Sequence, residues 1–317
     1  MRSRLAGLLP RGQAVAIGPV SVRRNGRALT LRRRRAFRRA GYGRSYEVEA
    51  LPAGLTAEAL RTYVGRMGWY HEIDLGNGVV TPAMKARADI DREWSLFALG
   101  DLAGKSVLDI GGIDGAYAFL AERAGAAPVA VLDHYLWATD PDAYGRLYRQ
   151  HVQAGRTPPA PHESEAWDPD RLPAKWRFDT ARQALDSQVK AIVVDFMDCD
   201  LDGVGVWDIV LYLGVLYHIE EPMRALRRLA AVTRQQAIIE TQAMLLPGHP
   251  HPLWSFFPGA ELNHDRSNWW APNLGALLGA LGAAGFTNTE ILAGEPQIAP
   301  EAHDSPHHYR AIVRAIK

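Results

Sequence analysis

Two histidines carry the chain's strongest hints of reaction chemistry. G-V-L-Y-H, residues 214–218, closes a near-continuous apolar run at 206–213, the pattern of a central strand buried on both faces. An imidazole titrates near neutrality, so His218 at the end of such a strand is a candidate general base, with Tyr217 beside it; holding a loop by hydrogen bonds is the alternative. His71 is the second candidate base. It lies in G-W-Y-H-E-I-D-L-G-N-G-V-V-T-P, residues 68–82, which reads either as an acceptor-side flap bearing Tyr70 or as an aromatic hairpin on the core. A second constellation binds rather than reacts. K-S-V-L-D-I-G-G-I-D-G, residues 105–115, is a short apolar run ending in Asp109, followed by Gly111, Gly112, Asp114 and Gly115. The glycines let the backbone turn sharply and approach a ligand. A second apolar run, 129–132, ends in Asp133, where a ribose would present two hydroxyls.

The register of the glycines selects the ligand. A dinucleotide needs G-x-G-x-x-G so that a helix N-terminus meets a pyrophosphate. Here Ile113 replaces the second glycine and Asp114 would set a negative charge beside phosphates, which argues against a nicotinamide dehydrogenase. Both features suit a cofactor with a cationic sulfonium and an amino acid tail.

These residues require a layered α/β scaffold. Residues 106–110, 129–132, 191–195, 206–213 and 236–241 read as strands, with 286–292 and 308–316 as a closing antiparallel hairpin. Helices are expected at 116–123, 221–232 and from Pro272 to Ala284, with further ones at 56–63, 89–99, 140–154 and 178–187. Asp195 and Phe196 end the third strand on the adenine side, and Glu240 ends the fifth, where it orients the acceptor or the tail of the cofactor, or else serves as a structural strand-end acid. About sixty residues separate Asp133 from the third strand, far more than a crossover needs. This insertion, 134–188, is expected to form a lid or acceptor pocket. The aromatic stretch 249–270 contributes Asn268 and Trp270 to the acceptor side; its prolines and lack of carboxylates at helical spacing argue against a metal, and none is expected. Residues 1–67 form an accessory segment with short strands and an Asn25-Gly26 hairpin signal, and 68–317 the main domain.

The 317 residues are 47% hydrophobic and 22% charged with a net charge of +1, ordinary for a globular protein without general polyanion affinity. The basic run at 32–39 reads as a solvated face or as a phosphate-binding patch for RNA. One cysteine, Cys199, excludes an internal disulfide and suits a reducing cytoplasm. No apolar run reaches membrane length. The oligomeric state stays open.

Together, V-L-D-I-G-G-I-D-G, D-H-Y-L-W, L-G-V-L-Y-H, I-I-E-T and F-F-P-G-A-E-L-N-H-D-R-S-N-W-W-A-P-N-L resemble the class I S-adenosylmethionine (SAM) methyltransferases of the family that includes tRNA wobble-uridine carboxymethyltransferase. The resemblance covers roughly residues 68–290. It implies a Rossmann-like, seven-stranded, mostly parallel sheet with helices on both faces, with SAM as cofactor and S-adenosylhomocysteine as product. It implies that Trp94 lies on the cofactor side and that Tyr217 matches the tyrosine meeting the extra carboxylate of carboxy-SAM. His134 and Leu213, at strand ends, complete the candidate cofactor set of Asp109, Gly111, Gly112, Asp114, Gly115, Asp133, Asp195 and Phe196. The chain departs from the family at Leu99, where the tRNA enzyme has lysine, and at V-V-T-P-A-M-K, which replaces its tryptophan-arginine-lysine-glycine-proline run. A buried carboxylate needs a cationic partner, so ordinary SAM and methylation of a small-molecule or sugar hydroxyl are expected. tRNA methyl or carboxymethyl transfer and a non-catalytic SAM-binding regulator are the alternatives.

Overall fold

The computed structural model describes residues 56–66, 68–249, 251–297 and 306–317, and the backbone of three strands before residue 56. The chain divides into two compact units, residues 1–44 and 45–317. In the first, β1 (Ala14–Ile17), β2 (Val20–Asn25) and β3 (Ala28–Arg33) form an antiparallel sheet in that order. β2 and β3 form a hairpin at the Asn-Gly signal, in a register that pairs Asn25 with Ala28 and so keeps Asn25 in the strand. Beyond Arg33, the basic run at 32–39 lies outside the described residues.

The larger unit opens with α1 (Ala57–Val64), capped by Thr56, whose Oγ1 accepts from the Ala59 amide at 3.2 Å. Then come β4 (Trp69–His71), β5 (Ala83–Lys85), α2 (Arg87–Phe97), β6 (Val107–Ile110), α3 (Ala116–Arg123) and β7 (Val129–Asp133). The insertion holds α4 (Pro141–Gln153) and α5 (Trp176–Ala184). After it follow β8 (Lys190–Val193), β9 (Trp207–Leu213), α6 (Pro222–Val232), β10 (Thr233–Leu245), β11 (Trp254–Phe256), β12 (Trp270–Pro272), α7 (Leu274–Ala284), β13 (Asn288–Ala293) and β14 (His307–Ile316).

The seven-stranded sheet runs β13-β14-β10-β9-β6-β7-β8. β10, β9, β6, β7 and β8 pair in parallel, and β14 is antiparallel to both β10 and β13. Period-two alternation sorts the strand residues onto two apolar layers. Val107, Val131, Ile209 and Leu211 pack on one face, and Leu108, Leu132, Val210 and Tyr212 on the other. Burial on both faces explains why these strands read as continuous apolar runs. The chain passes from β6 outward to β7 and β8, then returns to β9 on the other side of β6. The crevice at the carboxyl ends of β6 and β9 is therefore the switch point where such sheets take ligands.

One local expectation changes at Pro272. Pro272 does not start a helix; it ends β12, which pairs with β11 in a two-stranded ribbon. Every strand of such a ribbon is an edge, where proline is tolerated. Asn273 caps α7 instead, its Oδ1 accepting from Ala276 at 2.9 Å. The 68–82 segment folds back on itself at its Gly-Asn-Gly turn: an antiparallel bridge links Asp74 and Val80, and the Leu75 amide donates to the Val79 carbonyl at 2.9 Å and the Thr81 amide to the Ile73 carbonyl at 3.0 Å. Trp69, Ile73, Leu75 and Val79 are buried in the core, and β4 pairs in parallel with β5 beyond the turn.

Candidate cofactor and acceptor site

The glycine turn follows β6 directly. Gly111 (φ +75°) and Gly115 (φ +87°) occupy the left-handed region, which costs glycine nothing. A β-carbon on Gly112 would lie 2.5 Å from Asp109 Oδ2, and one on Gly111 2.6 Å from Val215 Cγ2. Ile113 also has positive φ, +52°, a strained conformation for a β-branched residue. It is held from both sides: its amide donates to Asp133 Oδ2 at 3.3 Å, and its carbonyl accepts from Trp137 Nε1 at 2.6 Å. Asp133 Oδ1 accepts from the Leu136 amide at 3.1 Å. Burial drives Asp133 up to about 6 against these backbone hydrogen bonds. Burial, with Asp133 and Asp114 nearby, pushes Asp109 up to about 7. Asp109 Oδ2 is buried without a hydrogen-bond partner, an arrangement that a cationic ligand group would relieve.

Asp114 faces away from this role. It is fully buried, and Oδ2 accepts from the Tyr70 amide at 3.1 Å and the His71 amide at 2.9 Å. Its Oδ1 meets His71 Nδ1 at 2.5 Å. Burial alone would raise its carboxyl, but His71 and these hydrogen bonds hold it below the usual range. Asp114 and His71 thus pin β4 across the glycine turn. Thr81 extends the clasp, its Oγ1 accepting from Ile73 and donating to the His71 carbonyl, each at 2.8 Å.

At the ends of β7 and β8, His134 is buried with its ring edge-on to Trp167, and burial lowers its pKa. Asp195 Oδ1 accepts from the Met197 amide at 2.8 Å. Phe196 is buried with the Arg228 guanidinium 5.5 Å over its ring and Tyr212 beyond.

A polar knot gathers where β9 ends beside the middle of β10 and β14; β10 runs on to Leu245, paired with β14, so Glu240 lies inside its strand and not at its end as the sequence suggests. A β-carbon on Gly214 (φ +72°) would lie 3.6 Å from Glu240 Oε2 and 3.7 Å from both Arg310 Nη2 and Tyr217 Oη. Arg310 pairs with Glu240 and lies 4.9 Å over the Tyr217 ring. Burial raises Glu240 in spite of Arg310 and Lys85. Tyr70 feels the charges of the same knot, and burial raises its hydroxyl. Next to it, Glu93 binds Lys85 at 2.6 Å and the Tyr117 hydroxyl at 2.5 Å. His218 follows Tyr217, its ring 4.2 Å away and its Nδ1 2.9 Å from Ser267 Oγ and 3.1 Å from the Ser267 carbonyl. Burial lowers its pKa against the pull of Asp265.

The structure therefore brings Tyr70, Tyr217, His218 and Glu240 to one edge with the glycine turn, Asp133 and Asp195. Asn268 is buried with Nδ2 on the Leu262 carbonyl at 3.0 Å, so it ties its own loop. Trp270 donates Nε1 to the Glu220 carbonyl at 3.2 Å and packs at a tilt against Phe256. Trp94 is half-buried against Phe97, and Leu213 half-buried at the end of β9. Arg310, Lys85 and Glu93 were not singled out in the sequence. Arg310 is one of two arginines in β14, beside Arg314, so the strand's sequence did not single it out. Among the described residues no cluster of three or more His, Cys, Asp or Glu suits a metal ion. No helix among them is long and apolar enough to cross a membrane.

The insertion crosses this edge. It leaves β7 at Asp133 and touches the loop packed on the end of β9: Tyr148 Oη donates to the His264 carbonyl at 3.3 Å, and Glu163 lies 3.9 Å from Arg266.

Comparison with known proteins agrees with this fold. Residues 84–291 match the family model of a methyltransferase domain. The N-terminal domain of EvdMO1, crystallised in the presence of SAH and D-fucose, superposes with a TM-score of 0.52 at 15% identity, covering 81% of this chain and 93% of that one. The same domain with SAH alone gives 0.51. These likenesses show the Rossmann-like methyltransferase fold. The tRNA U34 carboxymethyltransferase of Actinobacillus succinogenes is 24% identical over 112 residues, 35% of this chain and 34% of that protein. Its Psychrobacter arcticus counterpart is 24% identical over 217 residues, 64% of this chain and 50% of that protein. The chain thus spans between about a third and a half of the length of these curated relatives.

Proposed function

We propose that this chain, which belongs to the methyltransferase-domain family, is a SAM-dependent enzyme that methylates a hydroxyl of a small molecule, a sugar being the leading class. The observation that carries this reading is His218 in the short helical turn Leu216–His218 that follows β9, with Nδ1 committed to Ser267 and the polar knot of Tyr217, Glu240 and Arg310 beside it. SAM supplies an activated methyl group; the protein's part is to position the acceptor and take its proton. Gly111, Gly112 and Gly115 let the backbone lie against the cofactor's amino acid tail, near the partnerless Asp109 oxygen. Asp133 holds the ribose, and Asp195 with Phe196 borders the adenine. Tyr70, Tyr217 and Glu240 line the acceptor side. His71 and Asp114 hold the flap that carries Tyr70.

The D-fucose present in the EvdMO1 structure supports a sugar acceptor. The insertion clamped over the sheet edge favours a small acceptor over a long polymer. Arg310 and Lys85 are already paired with Glu240 and Glu93. A carboxylate on the transferred group would need a cation not yet neutralised, which supports SAM itself over carboxy-SAM. The tRNA reading rests on the curated relatives.

The test is transfer of labelled methyl from SAM to a panel of sugars and glycosides, with tRNA in parallel. Small-molecule turnover is expected. His218→Ala should lower it by about 10²–10⁴-fold, the usual worth of a general base, with SAM affinity by calorimetry unchanged. Full activity of that variant removes His218 from the chemistry, and methylation of tRNA alone replaces the acceptor class.

A further inference from the structure

We propose that Asp265 and Ser267 form a positioning relay that holds His218 with its proton on Nδ1 and presents Nε2 as the basic nitrogen. The inference rests on the reading of His218 as the base. Proton counting along the chain of contacts carries it. The Ser267 hydroxyl donates to Asp265 Oδ1 at 2.8 Å, and the Ser267 amide donates to the same oxygen at 2.8 Å. With its hydrogen on Asp265, Ser267 Oγ can only accept from His218 Nδ1, 2.9 Å away. The Ser267 carbonyl, 3.1 Å from Nδ1, can only accept as well. Both contacts are satisfied by one tautomer, Nδ1–H, and that tautomer leaves the lone pair on Nε2.

The loop that carries the relay is strained, and fixed at several points. Asn263 (φ +59°) and His264 (φ +56°) are consecutive non-glycine residues in the left-handed region, at about 1–2 kcal/mol each. Strain of this kind persists where the surroundings over-determine it. Here the Asp265 amide returns to the Leu262 carbonyl at 3.3 Å, and Asn268 Nδ2 reaches that carbonyl at 3.0 Å. The Trp269 amide donates to the Tyr217 carbonyl at 2.8 Å, fastening the loop to the residue before His218. The turn thus aims Asp265 at Ser267 with little freedom.

During transfer the acceptor oxygen would form its bond to the methyl group as the S–CH3 bond of SAM breaks, the electron pair of that bond leaving with the neutral sulfur of S-adenosylhomocysteine, while the acceptor's O–H bond breaks and its proton passes to Nε2. The Nδ1 proton stays on the ring, so no proton travels along the relay. Asp265 offsets the positive charge that develops on the imidazole. The charged groups facing His218 are Asp265, which favours its protonated form, and Arg310, which opposes it; the Tyr217 ring lies against it.

Nuclear magnetic resonance of ¹⁵N-histidine-labelled protein saturated with S-adenosylhomocysteine reads the relay without an acceptor. His218→Ala identifies the resonance. The expected result is the Nδ1–H tautomer. Asp265→Asn, which removes the charge, should lower the His218 titration midpoint by roughly half a pH unit or more. Ser267→Ala should lower it in the same direction, whereas Ser267→Thr, which keeps the hydroxyl, should stay near wild type. An Nε2–H tautomer, or midpoints unmoved by both Asp265→Asn and Ser267→Ala, overturns the relay. Full methyl transfer by His218→Ala is the separate result that fails the base reading, so the two failures are told apart.

Discussion

Asp109 is the buried acid with most to gain from a cationic ligand. Its folded pKa of about 7 stands above the unfolded carboxylate value of about 4. Between those values the native state keeps a proton that the unfolded state has lost. Stability of the unliganded protein therefore falls as pH rises from about 4 through about 7. Asp133, raised to about 6, acts in the same direction. Asp109→Asn removes this penalty. Its thermal midpoint is expected to exceed wild type by several degrees at about pH 8, with the gap narrowing toward about pH 5. The same change should weaken SAM by about tenfold or more, since a charge-assisted contact is lost. Calorimetry and thermal melts across pH check both halves; a variant that binds SAM as wild type and melts with the same pH dependence would rule out this account of Asp109.

Among elements, the β6-turn-α3 unit was legible because its physics is local. An apolar run, an acid and three glycines fall within a few residues, and each glycine answers a contact or a φ angle seen here. Gly112→Ala is the test. Its β-carbon would meet Asp109 Oδ2 at 2.5 Å and Val131 Cγ1 at 3.0 Å. Loss of measurable SAM binding is expected, with a stability cost of about 1–3 kcal/mol from overpacking; unaltered binding would mean that the turn does not form the cofactor cradle. What escaped the sequence is non-local. His71 and Asp114 are 43 residues apart, and both were readable as site residues, but nothing in either stretch announced that they bind each other. Glu240 and Arg310 meet only because β14 lies beside β10. Pro272 misled because proline suits both a helix start and a ribbon edge, and the Asn273 cap decides between them.

At the scale of the whole molecule, charge and access bear on the acceptor. The chain's net charge is +1, and the insertion reaches across the carboxyl edge to the loop at 264–266. A polynucleotide acceptor depends on cations that neutralise phosphates, and a protein with six to ten such contacts loses about 10³–10⁵ in affinity between about 50 and about 200 mM salt. An uncharged hydroxylated acceptor displaces no counterions. Its KM is expected to hold within about twofold over the same range, and SAM affinity should be similarly flat because its contacts are buried. Turnover measured at fixed SAM across that salt series separates the classes. A steep loss confined to KM for the acceptor would return tRNA to first place. A flat profile would leave the polar knot at Gly214 and the His218 edge as the determinants of which hydroxyl is methylated.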